Sequence, residues 1–176
     1  MLTEKIIKEL VDIIRDNAKV YFENRTINDK SLKCMNDVTE YLEGCMVYEK
    51  DQEVFGVLFL DNQHRVLNFD IIATGSLTSV VIPVRKIIQR SFNYNASCII
   101  LCHNHLSGLN NPSEEDLNLT AVIHQTCKNL DMRLLDHIII AKPNKSRSIL
   151  QEALDRFNIS DYTIKKKIDT KKDLPF

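Results

Sequence analysis

Two kinds of hydrophobic periodicity alternate along the first half of the chain. Residues 53–61 and 66–73 are rich in β-branched and aromatic residues and are joined by a short polar stretch, which predicts a β-hairpin. Helical spacing of apolar positions predicts three helices, at residues 3–24, 31–43 and 84–94. Gly44 is expected to end the second of these helices. The first half of the chain is therefore predicted to mix helices with a hairpin.

In the second half of the chain, a strand-like pattern is again followed by a helical one, with a polar segment between them. An apolar, β-branched run that starts at Ile99 predicts a buried strand, and after a Gly/Asn/Pro loop a helix is expected to begin at Ser113. Two further strands and a short helix are predicted, at residues 133–141, 146–150 and 151–157. Residues 159–176 are polar and lysine-rich, which is typical of a mobile tail.

Composition places the chain among ordinary globular proteins. Of its 176 residues, 44% are hydrophobic and 27% are charged, and this length suffices for one domain with a sizeable core. No apolar run approaches the roughly 18 residues of a membrane span, and no signal-peptide core follows Met1, so we expect a cytoplasmic protein without membrane contact. The net charge of -1 argues against strong nucleic-acid binding, which requires a basic surface.

The five cysteines are odd in number and include no CxxC pair. This pattern predicts reduced thiols packed in the interior rather than a disulfide framework. Cys102 directly precedes a histidine, which makes it a candidate ligand or nucleophile. Alternation along a strand turns Cys102 to the face opposite His103, and this favours core packing.

Two histidines end the strand that starts at Ile99. Because side chains alternate along a strand, His103 and His105 leave the same face and can converge on one metal ion. Asp116, in the first turn of the next helix, offers a third ligand. Two nitrogens and one oxygen are the ligand set of a catalytic zinc site. The stretch from Ser113 to Asp116 is also an ordinary helix cap, but capping does not explain the two histidines.

The spacing of these residues resembles a known motif. The JAMM (JAB/MPN) metalloprotease motif has two histidines, a serine and an aspartate at fixed intervals, and this chain matches it at His103, His105, Ser113 and Asp116. Ser107-Gly108 after the second histidine is similar to the RadC branch of that family, and collinear similarity covers residues 52–150. The chain departs from RadC-like sequences at Leu106 and Leu109, where they usually carry proline and aspartate. Neither change removes a ligand.

This resemblance implies an α/β fold (an α+β sandwich), JAB/MPN-like, with a central mixed β-sheet flanked by helices and a cytidine-deaminase-like architecture. It implies a zinc metallopeptidase or isopeptidase that hydrolyses an amide bond of a protein or peptide substrate. One Zn²⁺ per chain would be held by His103, His105 and Asp116. Ser113 would donate a hydrogen bond to the oxyanion, and Glu53 would be the general base.

Two acidic positions leave alternatives open. Many RadC-like chains carry glutamate at the position of Asp70, so Asp70 competes with Glu53 as the general base. Asp136-His137 could suggest a second metal or acid/base pair. We interpret it instead as a buried contact that orients the metal ligands or the neighbouring backbone.

We divide the chain into an N-terminal helical extension (1–48), a RadC-like JAMM/MPN domain (49–158) and the tail (159–176). The extension is expected to pack on the domain or to form a homodimer. The tail ends in Asp-Leu-Pro-Phe, similar to the C-terminal tip of bacterial single-stranded DNA-binding proteins, so it is a candidate docking segment for a replication or repair partner. The alternative function is therefore a non-catalytic or weakly catalytic accessory protein in DNA repair or replication.

Overall fold

The computed structural model describes residues 32, 34–46, 52–75, 82–141 and 145–160. The helix predicted at residues 3–24 lies outside the described residues, and so does the lysine-rich tail from residue 161 onward, including its Asp-Leu-Pro-Phe sequence. In the part of the chain that is described, none of the helices is long and apolar enough to cross a membrane.

In the described residues, five strands form one open mixed sheet. They are β1 (Val54–Leu60), β2 (Val66–Thr74), β3 (Cys98–Asn104), β4 (Arg133–Ile140) and β5 (Arg147–Ser148). Their order across the sheet is β2-β1-β3-β4-β5. Strands β3 and β4 run parallel, and the other neighbouring strands are antiparallel. The central strands β1 and β3 are buried along almost their whole length, as expected of strands covered on both faces.

Four described helices cover the two faces of this sheet. They are α1 (Met35–Met46), α2 (Val84–Asn93), α3 (Glu114–Asn129) and α4 (Leu150–Arg156). On one face, Val38 and Leu42 of α1 pack in a cluster with residues of β1, β3 and β4. On the other face, Ile87 of α2 and Ile123 of α3 pack against β1 and β3. The expected α/β fold with a central mixed sheet between helices is confirmed and is consistent with the JAB/MPN fold.

Most elements agree closely with their predicted bounds, but α1 does not. It begins at Met35 rather than at residue 31 and runs through Gly44 to Met46. Leu32 keeps the chain outside the helix because its side chain is buried and its N–H donates to the His64 carbonyl oxygen at 3.1 Å. Gly44 does not end the helix because Cys45 beyond it packs against the core, and an internal glycine costs only about 1 kcal/mol relative to alanine.

The two faces of strand β3 pack against different helices. Ile100 and Cys102 pack in the cluster under α1, whereas Leu101 packs on the opposite face under α2 and α3. Burial raises the pKa of the Cys102 thiol well above its ordinary value. Cys102 therefore points away from His103, as the alternation of the strand predicts, and it is a core residue.

Candidate metal centre

Three side chains with metal-binding atoms converge where β3 ends and α3 begins. The ligand atoms of His103, His105 and Asp116 all lie within 4.8 Å of one another. The Nε2 atoms of the two histidines are 2.9 Å apart. Oδ1 of Asp116 lies 3.4 Å from Nε2 of His103, and Oδ2 lies 3.9 Å from Nε2 of His105. With zinc–ligand bonds of about 2.0–2.1 Å, neighbouring ligand atoms of a tetrahedral site are about 3.3 Å apart, so this cluster fits one metal ion.

Two buried rings, those of Phe55 and His137, contact His103 and hold its side chain in place. Its side chain is fully buried, and its ring stacks on Phe55 with a centroid distance of 6.3 Å. Its second nitrogen, Nδ1, lies 2.9 Å from Nε2 of His137 in β4. Burial lowers the pKa of His137 well below its ordinary value, and the nearby His103 adds to this effect. His137 is therefore neutral at pH 7.

The loop between β3 and α3 fixes His105. Nδ1 of His105 donates to the Leu109 carbonyl oxygen at 2.8 Å, and its backbone N–H donates to the Ile140 carbonyl oxygen at 3.0 Å. Gly108 has a φ of 71°, a conformation open to glycine, and the turn formed there brings Leu109 back to the histidine. These contacts leave Nε2 of His105 facing His103 and Asp116.

Asp116 is both a candidate ligand and part of a helix cap. Its backbone N–H donates to Oγ of Ser113 at 3.1 Å, and the Ser113 N–H donates to Oδ2 of Asp116 at 2.9 Å. Burial acts to raise the pKa of Asp116, but the adjacent His103 ring and the donors of Ser113 hold it well below its usual range. Asp116 is therefore ionised at neutral pH, as a metal ligand must be.

The hydroxyl group of Ser113 already has an acceptor in this arrangement. It donates to Oδ2 of Asp116 at 2.7 Å, and a hydroxyl group has a single proton to give. Donation to a substrate oxygen therefore requires the hydroxyl to turn away from Asp116. In that case, Oδ2 of Asp116 would still accept the hydrogen bond from the Ser113 N–H.

Glu53 directly precedes β1, beside the end of β3. The two strands pair Phe55 with His103, and continuing this register brings Glu53 opposite His105. Asn104 holds the Glu53 segment on both sides, because Oδ1 accepts the Val54 N–H at 2.6 Å and Nδ2 donates to the Gln52 carbonyl oxygen at 3.2 Å. By strand alternation, Glu53 shares the face of Phe55 and His103.

Asp70 lies in a different environment. Asp70 lies in β2, where it pairs with Val57 of β1. Its carboxylate accepts the Tyr94 hydroxyl at 3.1 Å and the Asn68 side-chain amide at 2.9 Å. Nε of Arg90 lies 3.5 Å from its Oδ2 atom. The structure therefore places Asp70 against Arg90 of α2 and Tyr94, the residue that follows this helix.

The structure separates the two residues of the Asp136-His137 pair. The Asp136 carboxylate accepts the backbone N–H of His137 and the Ser148 hydroxyl, each at 2.7 Å, whereas the His137 ring contacts His103. Oγ1 of Thr120, a residue that the sequence pattern did not predict to be part of the site, lies 2.6 Å from Nδ1 of His137. Its position one helical turn after Asp116 was the available signal, since residues four apart share a helix face.

Comparison with known proteins identifies the family. Residues 32–154 match the RadC-like JAB domain. The chain belongs to the RadC-like JAB family. The match begins before α1, so that helix is part of the RadC-like region.

Curated relatives of this RadC-like chain are longer. A UPF0758 protein of Pseudomonas fluorescens (strain SBW25) is 37% identical over 127 residues, which cover 72% of this chain and 56% of the relative. A UPF0758 protein of Pseudomonas putida (strain W619) is 37% identical over 134 residues, which cover 76% and 57% of the two chains. The chain thus spans little more than half the length of these relatives.

Proposed function

We propose that this RadC-like chain is a zinc-dependent metallopeptidase or isopeptidase that hydrolyses an amide bond of a protein or peptide substrate. The convergence of two imidazole nitrogens and an ionised carboxylate in His103, His105 and Asp116 supports this function. Within the described residues the cluster has three ligands, which is the number found in catalytic zinc sites, whereas structural sites have four. The His105 side chain is 16% exposed, so the cluster is open to solvent on the side of His105.

Each residue of the site has a chemical role in this proposal. Zinc held by the three ligands would acidify water to a pKa of about 7 and polarise a carbonyl group. The Glu53 carboxylate accepts a proton from the attacking water and delivers it to the leaving amine nitrogen. The Ser113 hydroxyl turns from Asp116 to the substrate carbonyl oxygen as negative charge develops there. The bond broken is the amide C–N bond, and the products are a carboxylate and an amine.

Metal-dependent cleavage of amide bonds tests the proposal. The zinc-loaded protein is incubated with linear peptides and with peptides branched through a lysine side chain, and the products are identified by mass spectrometry. We expect cleavage that disappears after removal of the metal with dipicolinate and returns when zinc is restored. Cleavage that persists after verified metal removal, or no cleavage of either class of substrate, would contradict the proposed function.

The role of Ser113 can be separated from its capping contacts. Glycine is nearly as good an N-cap as serine, so Ser113→Gly should cost only a few tenths of a kcal/mol of stability. Loss of one oxyanion donor typically lowers kcat about 100-fold or more, and we expect a loss of that size with zinc content unchanged. Ser113→Thr, which keeps the hydroxyl, is the matched control. A kcat for Ser113→Gly close to that of the wild type would show that Ser113 only caps the helix.

A further inference from the structure

A chain of buried hydrogen bonds runs from the candidate ligand His103 back to the helix that carries Asp116. Nδ1 of His103 lies 2.9 Å from Nε2 of His137, and Nδ1 of His137 lies 2.6 Å from Oγ1 of Thr120. Oγ1 of Thr120 lies 2.6 Å from the Asp116 carbonyl oxygen. His103, His137 and Thr120 each have 0% of their surface exposed. This series of hydrogen bonds therefore links β3, β4 and α3 in the interior, away from solvent.

The Asp116 carbonyl oxygen at the end of this series of hydrogen bonds determines which atom donates at each step. A carbonyl oxygen only accepts, so the single proton of the Thr120 hydroxyl is directed at Asp116. The His137 nitrogen facing Thr120, Nδ1, must then carry a proton. Among the residues that the structure describes, no carboxylate hydrogen-bonds to the His137 ring. The ring is fully buried, and a buried charge without a directly paired opposite charge is costly, so the ring is neutral. Its other nitrogen, Nε2, is consequently an acceptor.

The tautomer of His103 follows from the acceptor role of Nε2 of His137. Since Nε2 of His137 accepts, Nδ1 of His103 must donate to it. A neutral His103 then has no proton on Nε2, and the lone pair of Nε2 points toward His105 and Asp116. This is the atom and the protonation state that a metal ion requires.

We infer that His137 and Thr120 are positioning residues that hold His103 in the tautomer and orientation needed to bind the metal ion. Neither residue is a ligand, because both ring nitrogens of His137 and the hydroxyl of Thr120 are already engaged. The hydrogen-bond chain also ends on Asp116, which supplies a ligand of the same cluster. The inference rests on the proposed zinc site but does not depend on hydrolysis.

A matched pair of substitutions at Thr120 tests the inference through zinc affinity, measured by competition with a chelator of known affinity. Thr120→Val keeps the shape of the side chain but removes the hydroxyl acceptor of His137. Loss of a hydrogen bond that orients a ligand typically weakens metal binding 10–100-fold, and we expect a change of that size. Thr120→Ser should bind zinc with nearly the wild-type affinity, and so should Ile138→Val, which alters the opposite face of β4. Wild-type affinity in Thr120→Val would overturn the inference.

Nitrogen-15 NMR of the zinc-loaded wild type provides a test that does not depend on any variant. Correlations within each imidazole ring identify the nitrogen that carries the proton. We expect the proton on Nδ1 in both His103 and His137. A proton on Nε2 of His137 would overturn the inference even if Thr120→Val did not fold. Absence of zinc from the wild type would overturn the zinc site as well, whereas a wrong tautomer with zinc bound would overturn only the positioning role.

Discussion

Replacing His103 and His105 together by alanine should abolish zinc binding. The two imidazoles supply two of the three ligands that converge in the structure, and a single remaining carboxylate does not hold zinc tightly. We expect about one equivalent of zinc in the purified wild type and none in the double variant. Elemental mass spectrometry of both proteins, after incubation with zinc at neutral pH and removal of the excess, measures this directly.

Two controls separate loss of the site from loss of the fold. His103 is buried between Phe55 and His137, so its removal leaves a cavity; Asp116→Asn is a less disruptive change that removes the ligand charge. His64→Asn removes a histidine outside the cluster, and asparagine suits the φ of 61° at this position. We expect Asp116→Asn to lose most of the zinc and His64→Asn to keep it. Retention of a full equivalent by the folded double variant would refute the site.

Glu53→Gln should abolish most of the hydrolytic activity while zinc remains bound. Glutamine preserves the size of the side chain but accepts protons very poorly, and general acid–base catalysis typically contributes 10²–10⁴-fold to a rate. We expect kcat to fall by about that factor, with the zinc content unchanged because Glu53 is not among the three clustered ligands. Single-turnover hydrolysis of a substrate found in the peptide screen is the appropriate measurement.

Asp70→Asn is the matched comparison for Glu53→Gln. Asp70 contacts Tyr94 and Asn68, so the amide should leave kcat close to the wild-type value. Loss of activity in Asp70→Asn but not in Glu53→Gln would reverse the assignment of the base. A cellular effect of the protein that survives Glu53→Gln would instead favour the accessory function over the hydrolase.

The three candidate ligands could be predicted because the rules that place them are local. Strand alternation sends His103 and His105 to one face, and helix capping places Asp116 in the first turn after the loop. The same local rules failed at Gly44, where packing of Cys45 against the sheet extends α1 past a residue that often ends helices. Tertiary contacts decided that boundary, and they do not appear in the local sequence pattern.

The role of His137 could not be fully predicted because it depends on a long-range register. Leu135 is an extra residue in β4, and the pairing with β3 shifts between Ile99 and Ile100. As a result, His137 rather than Asp136 lies opposite Leu101, on the face of β3 that carries His103. A shift of one residue in register exchanges the faces of a strand. The sequence therefore placed both Asp136 and His137 near the site without showing which of them contacts a ligand.

The parallel pairing of β3 and β4 has a consequence for the order of folding. His103, His105 and Asp116 are close in sequence, so a chain that has formed only the end of β3 and the first turn of α3 already carries all three ligands. We expect His137 to reach the cluster later, because the parallel pairing of β4 with β3 requires the whole of α3 to cross back over the sheet first. If the proposed site captures an ion at that stage, we expect it to bind weakly at first and more tightly once β4 docks. With the proposed zinc site, metal capture and closure of the sheet would then reinforce each other, and zinc present during synthesis would act as an assembly template.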